Sequence, residues 1–487
     1  MKINKITVGY ILIGLTFFSY VLLRAIRVGV TYDEVVTLQE FVPHSIYNIL
    51  FEARPIANNH ILNTILIKAV FLFGAQSLFF ARVPNLISFL LYLYFSCRIL
   101  SRGLPGFYGI GCFVLLICNP FMLEFFSLAR GYGLSLAFMM GALCFASDNI
   151  RRFSTSSLCK SLALGALSVV SIFSMIYFEI ALIVVLNITI FLRRDWSIFR
   201  RSLIYSSLIG AALLAAISVP IFRLEKYNGL AYGGSRGFYS DTLLSLTRYT
   251  LGNFEASYFA PYLLNSFLCI SIAVVGISFS RKWRTSLSWL FVGVAGLSVL
   301  LIICAHSLAG VKYPIDRVSL FLYPLMMLSL CFCLCGLGRW IGTGLLAVLV
   351  LALSSNFTLR ANFYKTTLWD FDSHASQILE LINGMGRAEG RVIGLRIVNI
   401  LGRSVSYYAN KNRYGFVRIL DKHDAVEEIK EGYYFLYFSR NVFPDSDFVR
   451  HDKDRLPKGL SEGDIFIEYP EEQIIVFKDL KGGLPDY

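Results

Sequence analysis

The sequence predicts a polytopic α-helical membrane protein that carries a small α/β domain at its C-terminal end. Hydrophobic residues make up 56% of the 487 residues and charged residues only 16%, whereas soluble domains carry roughly 25% charged residues. Long apolar runs recur up to about residue 357, and shorter runs of β-branched and aromatic residues follow. The chain therefore divides into a transmembrane domain, residues 1–357, and a tail domain, residues 358–487.

The first apolar run, residues 6–23, follows the basic start MKINK and is long enough to cross a bilayer. No small-residue cleavage motif follows it, so we expect an uncleaved first span with a cytoplasmic N-terminus. Ten further apolar runs complete a set of about eleven predicted spans. They lie near residues 84–99, 107–123, 131–147, 161–178, 179–192, 202–223, 259–280, 285–305, 318–337 and 340–357.

The apolar run at 61–79 differs from the others because polar residues recur along it. His60, Asn63, Thr64 and Lys68 are spaced i, i+3, i+4 and i+8, which places them on one face of a helix. A polar stripe on an apolar helix is typical of a helix that lies in the membrane interface. We therefore predict an interfacial helix within a first outer loop that covers residues 25–83.

The formal net charge of +13 does not predict nucleic-acid binding, because Arg and Lys concentrate in short junctions between the spans. With a cytoplasmic N-terminus, the positive-inside rule assigns these junctions to the cytoplasmic face. They lie near residues 2–5, 98–102, 151–160, 193–201, 281–284 and 339. An odd number of spans then places the tail domain outside with the 25–83 loop, which in a bacterial inner membrane is the periplasmic face.

The tail domain is predicted to combine five short strands with two helices. The strands are RVIGLRIV, YGFVRIL, EGYYFLYFS, DIFIEYP and QIIVFKDL, and the helices lie near 370–385 and 403–411. The sequence contains no Walker loop, no G-x-G-x-x-G fingerprint and no zinc-spaced set of Cys and His. The missing nucleotide loop disfavours an ATP-driven transporter.

Three carboxylates stand where the chain leaves the first span. The stretch TYDEVVTLQEF, residues 31–41, contains Asp33, Glu34 and Glu40. On a helix Asp33 and Glu40 share a face at i, i+7, while Glu34 points elsewhere. A carboxylate beside an acceptor hydroxyl can take its proton, so these three acids are the candidate catalytic residues.

Basic residues from other segments are predicted to reach the same outer face. Arg82, Arg130, Lys312 and Arg317 suit a phosphate, since Arg offers a fork of donors to an anion. Each alone would also serve as an interfacial anchor, but with the acids they predict an anion site beside a base, in one pocket at the outer rim. Further candidate substrate-binding residues are Arg54, Asn59, His60, Tyr132 and His306.

The motifs that carry these residues resemble the GT-C superfamily. An acidic DE pair follows the first span, RPIANNH precedes the interfacial helix, ARVPN opens the next span, NP…ARGYGL follows the third, and KYPIDR comes late. The superfamily contains polytopic glycosyltransferases that use lipid-phosphate-linked sugars, such as protein O-mannosyltransferases and the lipid A aminoarabinose transferase. More narrowly, the chain resembles phage-type serotype-converting O-antigen glucosyltransferases.

The resemblance implies an inverting transfer of a sugar, glucose in the narrower match, from a polyprenyl-phosphate donor to a hydroxyl of a periplasmic glycan, lipid-linked O-antigen. Asp33 matches the acid that acts as base or orients the acceptor, and Glu34 matches the second acid of that pair. Arg82 and Arg130 match basic positions near the donor. Lys312 and Arg317 match the late loop that meets the lipid phosphate.

Glu124 falls near the position where some members of the superfamily place a metal-binding acid. The surrounding run EFFSLAR lacks the D-x-D pattern of the metal-dependent members. We therefore expect no obligatory cofactor, with Glu124 as the ligand if a divalent metal binds. Glu40 is outside the shared pattern and is a catalytic candidate only because it shares a helix face with Asp33.

Two other functions fit the spans and cations. A transporter or flippase of a lipid-linked saccharide would be expected to show broken helices or charges near the middle of the membrane, and repeat symmetry between its halves. An O-antigen polymerase or ligase would use a diphosphate-linked donor. The flippase features are not evident in the sequence. Polymerases and ligases usually carry one large late external loop with Arg pairs, whereas here the acids come early and the long external segment is the first one. The glycosyltransferase is therefore the preferred prediction.

Overall fold

The computed structural model describes residues 5–230, 232–252, 258–280, 286–397, 402–420, 434–439, 465–469 and 474–479. The chain divides into two compact units. The membrane unit comprises Met1–Ile26 and Phe41–Asn362, and the tail unit comprises Arg27–Glu40 and Phe363–Tyr487. The basic junction predicted at 281–284 and residues 2–4 lie outside the described residues.

The membrane unit is helical. Its helices are α1 (Lys5–Arg27, whose last residue belongs to the tail unit), α3 (Ile46–Phe51), α4 (Ile61–Phe73), α5 (Leu78–Gly103), α6 (Gly106–Ile117), α7 (Pro120–Phe126), α8 (Gly131–Arg151), α9 (Thr155–Ser171), α10 (Ile176–Phe191), α11 (Trp196–Lys226), α12 (Leu244–Leu251), α13 (Ala260–Ser280), α14 (Ser286–Ala309), α15 (Leu322–Leu334) and α16 (Arg339–Arg360). Short 3₁₀ turns precede α10 at Phe173–Met175 and flank α15 at Asp316–Ser319 and Cys335–Leu337, and a π-helical turn, Phe238–Leu243, precedes α12.

Within the described residues, nine helices are long and apolar enough to cross a membrane, or ten if the bent pair α6 and α7 counts as one span. The chain is therefore a multi-pass helical membrane protein, as predicted. The predicted count of eleven included α9, which has only 17 residues, and treated α6 and α7 as straight although they bend by 73°. The bend occurs at Asn119, whose side chain caps α7, with Pro120 as the first helical residue.

Helix α4 is too short to cross a membrane, because its 13 residues span only about 20 Å. Its polar stripe is not turned toward solvent: Asn63 and Thr64 are fully buried, whereas Leu72 and Phe73 at the far end are 78% and 92% exposed. The Asn63 amide donates to the Ala129 carbonyl at 3.0 Å, and Lys68 donates to the Val42 carbonyl at 3.1 Å. The stripe thus packs on protein, and the position of α4 in the membrane interface stays a prediction.

The tail unit contains a five-stranded mixed sheet with strand order β2-β1-β3-β5-β4. The strands are β1 (Ile393–Ile397), β2 (Val417–Leu420), β3 (Tyr434–Ser439), β4 (Ile465–Tyr469) and β5 (Ile474–Asp479). Strands β2, β1 and β3 are parallel, with Leu395 opposite both Ile419 and Phe435, while β5 runs antiparallel to β3 and β4.

Two helices, α17 (Ala375–Glu389) and α18 (Gly402–Asn412), complete this fold. The apolar face of α17 buries Ile378, Leu379 and Ile382. All five predicted strands and both predicted helices are confirmed within the described residues, although residues 398, 431–433, 464, 470, 473 and 480 of the predicted strands lie outside them.

The same unit includes the segment between the first span and the rest of the membrane unit. Residues 27–40, which we call the acid segment, contain helix α2 (Tyr32–Val36), and a π-helical turn follows at Thr37–Phe41. A π-helical turn is rare and frequently marks a functional site.

Candidate functional site

Arg130 and His60 form the first pair of predicted site residues that the structure brings together. Arg130 precedes α8, is 1% exposed, donates to the Asn58 carbonyl at 3.2 Å and places Nη2 2.9 Å from Nε2 of His60. Nδ1 of His60 accepts from the backbone N–H of Gly131 at 2.9 Å. A Cβ at Gly131 would lie 2.6 Å from the Ser171 carbonyl oxygen, so this turn of ARGYGL requires glycine.

Burial lowers the pKa of His60 well below its ordinary value, and the positive charges of Arg130 and Arg317 lower it further. The imidazole is therefore neutral at neutral pH. It lies beside Arg130 without adding a third positive charge to the site.

Arg317 joins the same group through two tyrosines. Its Nε donates to the Tyr132 hydroxyl at 3.2 Å, and its guanidinium carbon lies 4.8 Å from the centre of the Tyr232 ring. The Tyr132 ring in turn packs edge-on against His60 at 4.9 Å. We call His60, Arg130, Tyr132 and Arg317 the cation cluster. All four were predicted as site residues, from segments far apart in the sequence.

Asp316 holds the late loop that carries Arg317. Its Oδ2 accepts from the Tyr232 hydroxyl at 2.6 Å, its other carboxylate oxygen accepts from the Ser245 hydroxyl, and its backbone N–H donates to the same hydroxyl at 3.1 Å. The backbone of Asp316 has φ +47°, a left-handed conformation that Asp tolerates better than most residues. Gly234 and Tyr313 pair in a short antiparallel bridge beside it.

Sequence reasoning missed Tyr232 and Ser245. The run YGGSRGFYSD at 232–241, rich in Gly, Tyr and Ser, predicts turns next to Tyr232, and no local signal marks Ser245.

The other predicted substrate residues are spread over the membrane unit. Lys312 is exposed, and His306 stacks on Tyr313 with ring centres 4.0 Å apart. Arg54 and Asn59 line a cleft of about 320 Å³, a volume that includes its opening to solvent. The Asn59 amide donates to the Ile49 carbonyl at 3.0 Å and its oxygen accepts from Thr64 at 3.3 Å, so Asn59 helps to shape the wall of this cleft.

Arg82 of α5 and Glu124 of α7 both contact residues at the C-terminal end of α1. Arg82 is fully buried and donates to the Ala25 carbonyl at 3.1 Å. Glu124 is 3.6 Å from Arg24, a fully buried arginine that sequence reasoning missed, and Arg24 also donates to the Asn362 carbonyl at 2.6 Å. Within the part of the chain that the structure describes, no three His, Cys, Asp or Glu residues are grouped to hold a metal.

In the tail unit, Glu34 makes a capping box with Thr31. The Thr31 hydroxyl accepts from the Glu34 N–H at 3.4 Å, and Oε2 of Glu34 accepts from the Thr31 N–H at 3.0 Å. The reciprocal pair starts helix α2. The T-x-x-E spacing of Thr31 and Glu34 is the sequence signal of a capping box, so the Glu34 carboxylate has a structural role beside the predicted catalytic one.

Glu40 accepts a charge-assisted hydrogen bond from Arg403 of α18, and the Arg403 guanidinium lies 5.3 Å from the centre of the Tyr32 ring. Asp33, between these residues in sequence, is 7% exposed. Sequence reasoning missed Arg403, because nothing in the sequence pairs a tail residue with this early segment. That the three acids share a pocket with the cation cluster stays a prediction.

Comparison with known proteins gives matches in structure only. No family model matches the chain, and no curated protein matches it significantly in sequence. ArnT from Cupriavidus metallidurans bound to undecaprenyl phosphate covers 98% of this chain and 99% of its own, at 14% identity and a TM-score of 0.45.

The apo structure of the same ArnT covers 97% of this chain and 98% of its own, at 11% identity and a TM-score of 0.38. The arabinosyltransferase EmbB from Mycobacterium smegmatis covers 77% of this chain but 32% of its own length, at 10% identity and a TM-score of 0.44. At identities and scores this low, these similarities do not by themselves assign a fold family or an activity to the chain.

Proposed function

We propose that this chain is a GT-C glycosyltransferase that transfers a sugar from a polyprenyl-phosphate donor to a hydroxyl of a glycan. The observation that carries the proposal is the cation cluster, in which Arg130 donates to the Asn58 carbonyl beside His60, and Arg317 donates to the Tyr132 hydroxyl, inside the helical membrane unit. A donor made of a prenyl chain and a phosphate requires this combination. The prenyl chain of the donor needs an apolar environment, and its phosphate needs fixed cations.

Within the cluster, the arginines have different roles. Arg317 is only half-buried and Lys312 is exposed, so both are accessible to a phosphate. Arg130 is 1% exposed and Arg82 is fully buried, and both donate to backbone carbonyls. We assign phosphate contact to Arg317 and Lys312. Arg130 supports the site through its charge, and Arg82 anchors the end of α1.

The reaction breaks the bond between the anomeric carbon and the phosphate oxygen, and the leaving polyprenyl phosphate gains negative charge. Cations already oriented toward that charge lower the barrier, because they do not reorganise during the reaction. Tyr132 and Tyr232 fix the plane of the Arg317 guanidinium from two directions, which favours a forked contact with phosphate oxygens.

The acceptor hydroxyl attacks the anomeric carbon and loses its proton to a base, which we assign to Asp33. Asp33 is the acid that the resemblance matches to this role, while Glu34 closes the capping box and Glu40 pairs with Arg403. A direct displacement of this kind inverts the configuration of the sugar carbon.

No obligatory metal is part of the proposal. Glu124, the acid that matches a metal-binding position, is paired with the buried Arg24, and a divalent ion at Glu124 would be repelled by that cation. From the narrower resemblance, we assign glucose as the sugar and lipid-linked O-antigen as the acceptor, at the periplasmic face of a bacterial inner membrane.

The test uses the purified full-length protein in lipid nanodiscs with labelled polyprenyl-phosphate glucose and lipid-linked O-antigen oligosaccharide. Formation of a glucosylated glycan supports the proposal. Consumption of a diphosphate-linked donor would instead indicate a polymerase or ligase. In proteoliposomes, movement of the lipid-linked sugar between leaflets without product would indicate a flippase.

A further inference from the structure

The acid segment belongs to the tail unit, although it adjoins the first span in sequence. Three tail side chains hold it. The Tyr408 hydroxyl accepts from the Val30 N–H at 2.8 Å, Asp372 Oδ2 accepts from the Tyr32 N–H at 2.6 Å, and Arg403 pairs with Glu40. These contacts lie on both sides of Asp33.

The contacts meet a specific need of the acid segment. Tyr32 is the first residue of helix α2, where the backbone N–H groups have no partner within the helix. Asp372 supplies an acceptor there through Oδ2. Because α2 has only five residues, it depends on such tertiary contacts for its stability.

Close packing accompanies these hydrogen bonds. A Cβ built on Gly29 would lie 3.2 Å from the Tyr408 hydroxyl oxygen and 3.7 Å from the Asp372 carbonyl oxygen. The acid segment therefore passes against the tail residues with little space between them, and Gly29 permits the approach.

Asp372 also interacts electrostatically with Asp33. It is 2% exposed, and burial raises its pKa from 3.8 to about 8. Hydrogen bonding from Ser404 and from the Tyr32 backbone opposes this shift, while the negative charge of Asp33 adds to it. The Asp33 carboxylate is therefore close enough for its charge to act on Asp372.

We infer that Asp372, Arg403 and Tyr408 are positioning residues for Asp33, so that the tail domain forms part of the catalytic apparatus. The inference rests on the proposed function in assigning Asp33 as the base. It gives the tail domain a role distinct from that of a separate glycan-binding module, because its side chains determine where the acid segment lies.

The first test measures hydrogen–deuterium exchange of peptides from residues 28–40 in the full-length protein in nanodiscs. Tyr408→Phe removes the hydroxyl that accepts from Val30 and keeps the ring. Arg403→Gln removes the ion pair with Glu40. Each variant should speed exchange in the acid segment by about threefold to tenfold, the range that corresponds to one lost hydrogen bond. Peptides from α14 and α15 should exchange as in the wild type.

The second test separates positioning from folding by steady-state kinetics. Tyr408→Phe and Arg403→Gln should lower kcat by about threefold to tenfold and leave the KM for the lipid donor unchanged. Arg403→Lys, which keeps the charge, should recover part of the kcat. The matched control is Lys411→Gln, an exposed residue of the same helix, and it should behave as the wild type.

The outcomes distinguish the two proposals. If the wild type transfers sugar but the Tyr408 and Arg403 variants keep both wild-type kcat and wild-type exchange, the positioning role is overturned and the proposed function stands. Faster exchange with unchanged kcat also overturns it, since the acid segment would then not need to be held. If the wild type transfers no sugar, the proposed function fails, and exchange alone reports on the contacts.

Discussion

The cation cluster and the acid segment hold charged groups in different ways. In the cluster, the contacts are made by the charged side chains: Tyr132 and Tyr232 orient Arg317, and Arg130 lies beside His60 and donates to the Asn58 carbonyl. In the acid segment, tail side chains hold mainly the backbone, through the N–H groups of Val30 and Tyr32. The difference indicates separate tasks. The cluster fixes the direction of individual donors, and the tail fixes the path of the chain that carries Asp33.

The comparison predicts that a substitution in the acid segment lowers the rate of sugar transfer, and that a substitution in the cation cluster weakens donor binding. The largest expected effect is that of Asp33→Asn, which removes the base and keeps the shape of the side chain. Transfer should fall by about 10²-fold to 10⁴-fold, the usual contribution of a general base, as measured with labelled polyprenyl-phosphate sugar.

Donor binding by Asp33→Asn should stay close to that of the wild type. The matched control is Asp195→Asn, at the N-cap of α11, because Asn caps a helix about as well as Asp. Activity near the wild-type level in Asp33→Asn would remove Asp33 from the mechanism.

The second effect tests the cluster. Arg317→Ala should raise the KM for the lipid donor by about tenfold to a hundredfold, since hydrogen bonds to charged groups contribute more than neutral ones. Arg317→Lys should recover only part of the affinity, because Lys lacks the planar fork. Lys312→Ala should have a smaller effect, since Lys312 is exposed.

The control for these variants is Arg391→Ala, which removes an arginine of the tail domain that pairs with Glu389 and should leave the KM unchanged. An unchanged KM in both Arg317→Ala and Lys312→Ala would place the phosphate elsewhere. A lower kcat with unchanged KM would contradict the division of tasks between the two regions.

The third effect concerns pH and Asp372. The folded-state pKa of about 8 exceeds the ordinary value, so the folded protein holds this proton more tightly than the unfolded chain does. The protonated Asp372 therefore stabilises the folded protein. This stabilisation is fully present below about pH 4 and is lost as the pH rises to about 8. Between pH 5 and pH 8 the free energy of unfolding of the wild type should therefore fall by on the order of a few kcal/mol relative to that of Asp372→Asn. Thermal unfolding of both proteins at a series of pH values measures this difference. Parallel pH profiles for the two proteins would show that Asp372 does not titrate in this range.

The smallest expected effect is that of a chelator. With Glu124 paired to Arg24, transfer should be nearly unchanged in excess EDTA. Inhibition that Mn²⁺ or Mg²⁺ reverses would show that a metal takes part, and Glu124→Gln would then be expected to abolish the metal dependence.

Periodicity in the sequence predicted most of the fold. Apolar runs long enough to cross a bilayer specify helices almost independently of their neighbours, because backbone groups in lipid must be satisfied within the helix. The five strands and two helices of the tail followed from local alternation and turn residues. The number of spans could not be predicted in the same way. Helix α9 is short, and the run that forms α6 and α7 is bent by 73°, so the length of an apolar run does not show whether it crosses the membrane.

The candidate site was predictable in part. Charged residues in an apolar chain are costly, so His60, Arg130 and Arg317 could be selected from the sequence. Tyr232, which contacts Arg317, and Ser245, which contacts Asp316, could not, because Tyr and Ser are common and carry no such cost. Glu34 is the opposite case. Its spacing from Thr31 indicates a capping box in the sequence, and in the structure its carboxylate caps helix α2.

The sequence by itself determined that the chain is a multi-pass helical protein with an α/β tail and which charged residues needed an explanation. Only the tertiary structure decided what those charges contact. The Tyr32 N–H meets Asp372, 340 positions later in the chain, and no local pattern encodes a contact at that separation. Hydrogen bonds act over a few ångströms in space, while sequence pattern reports only on neighbours along the chain.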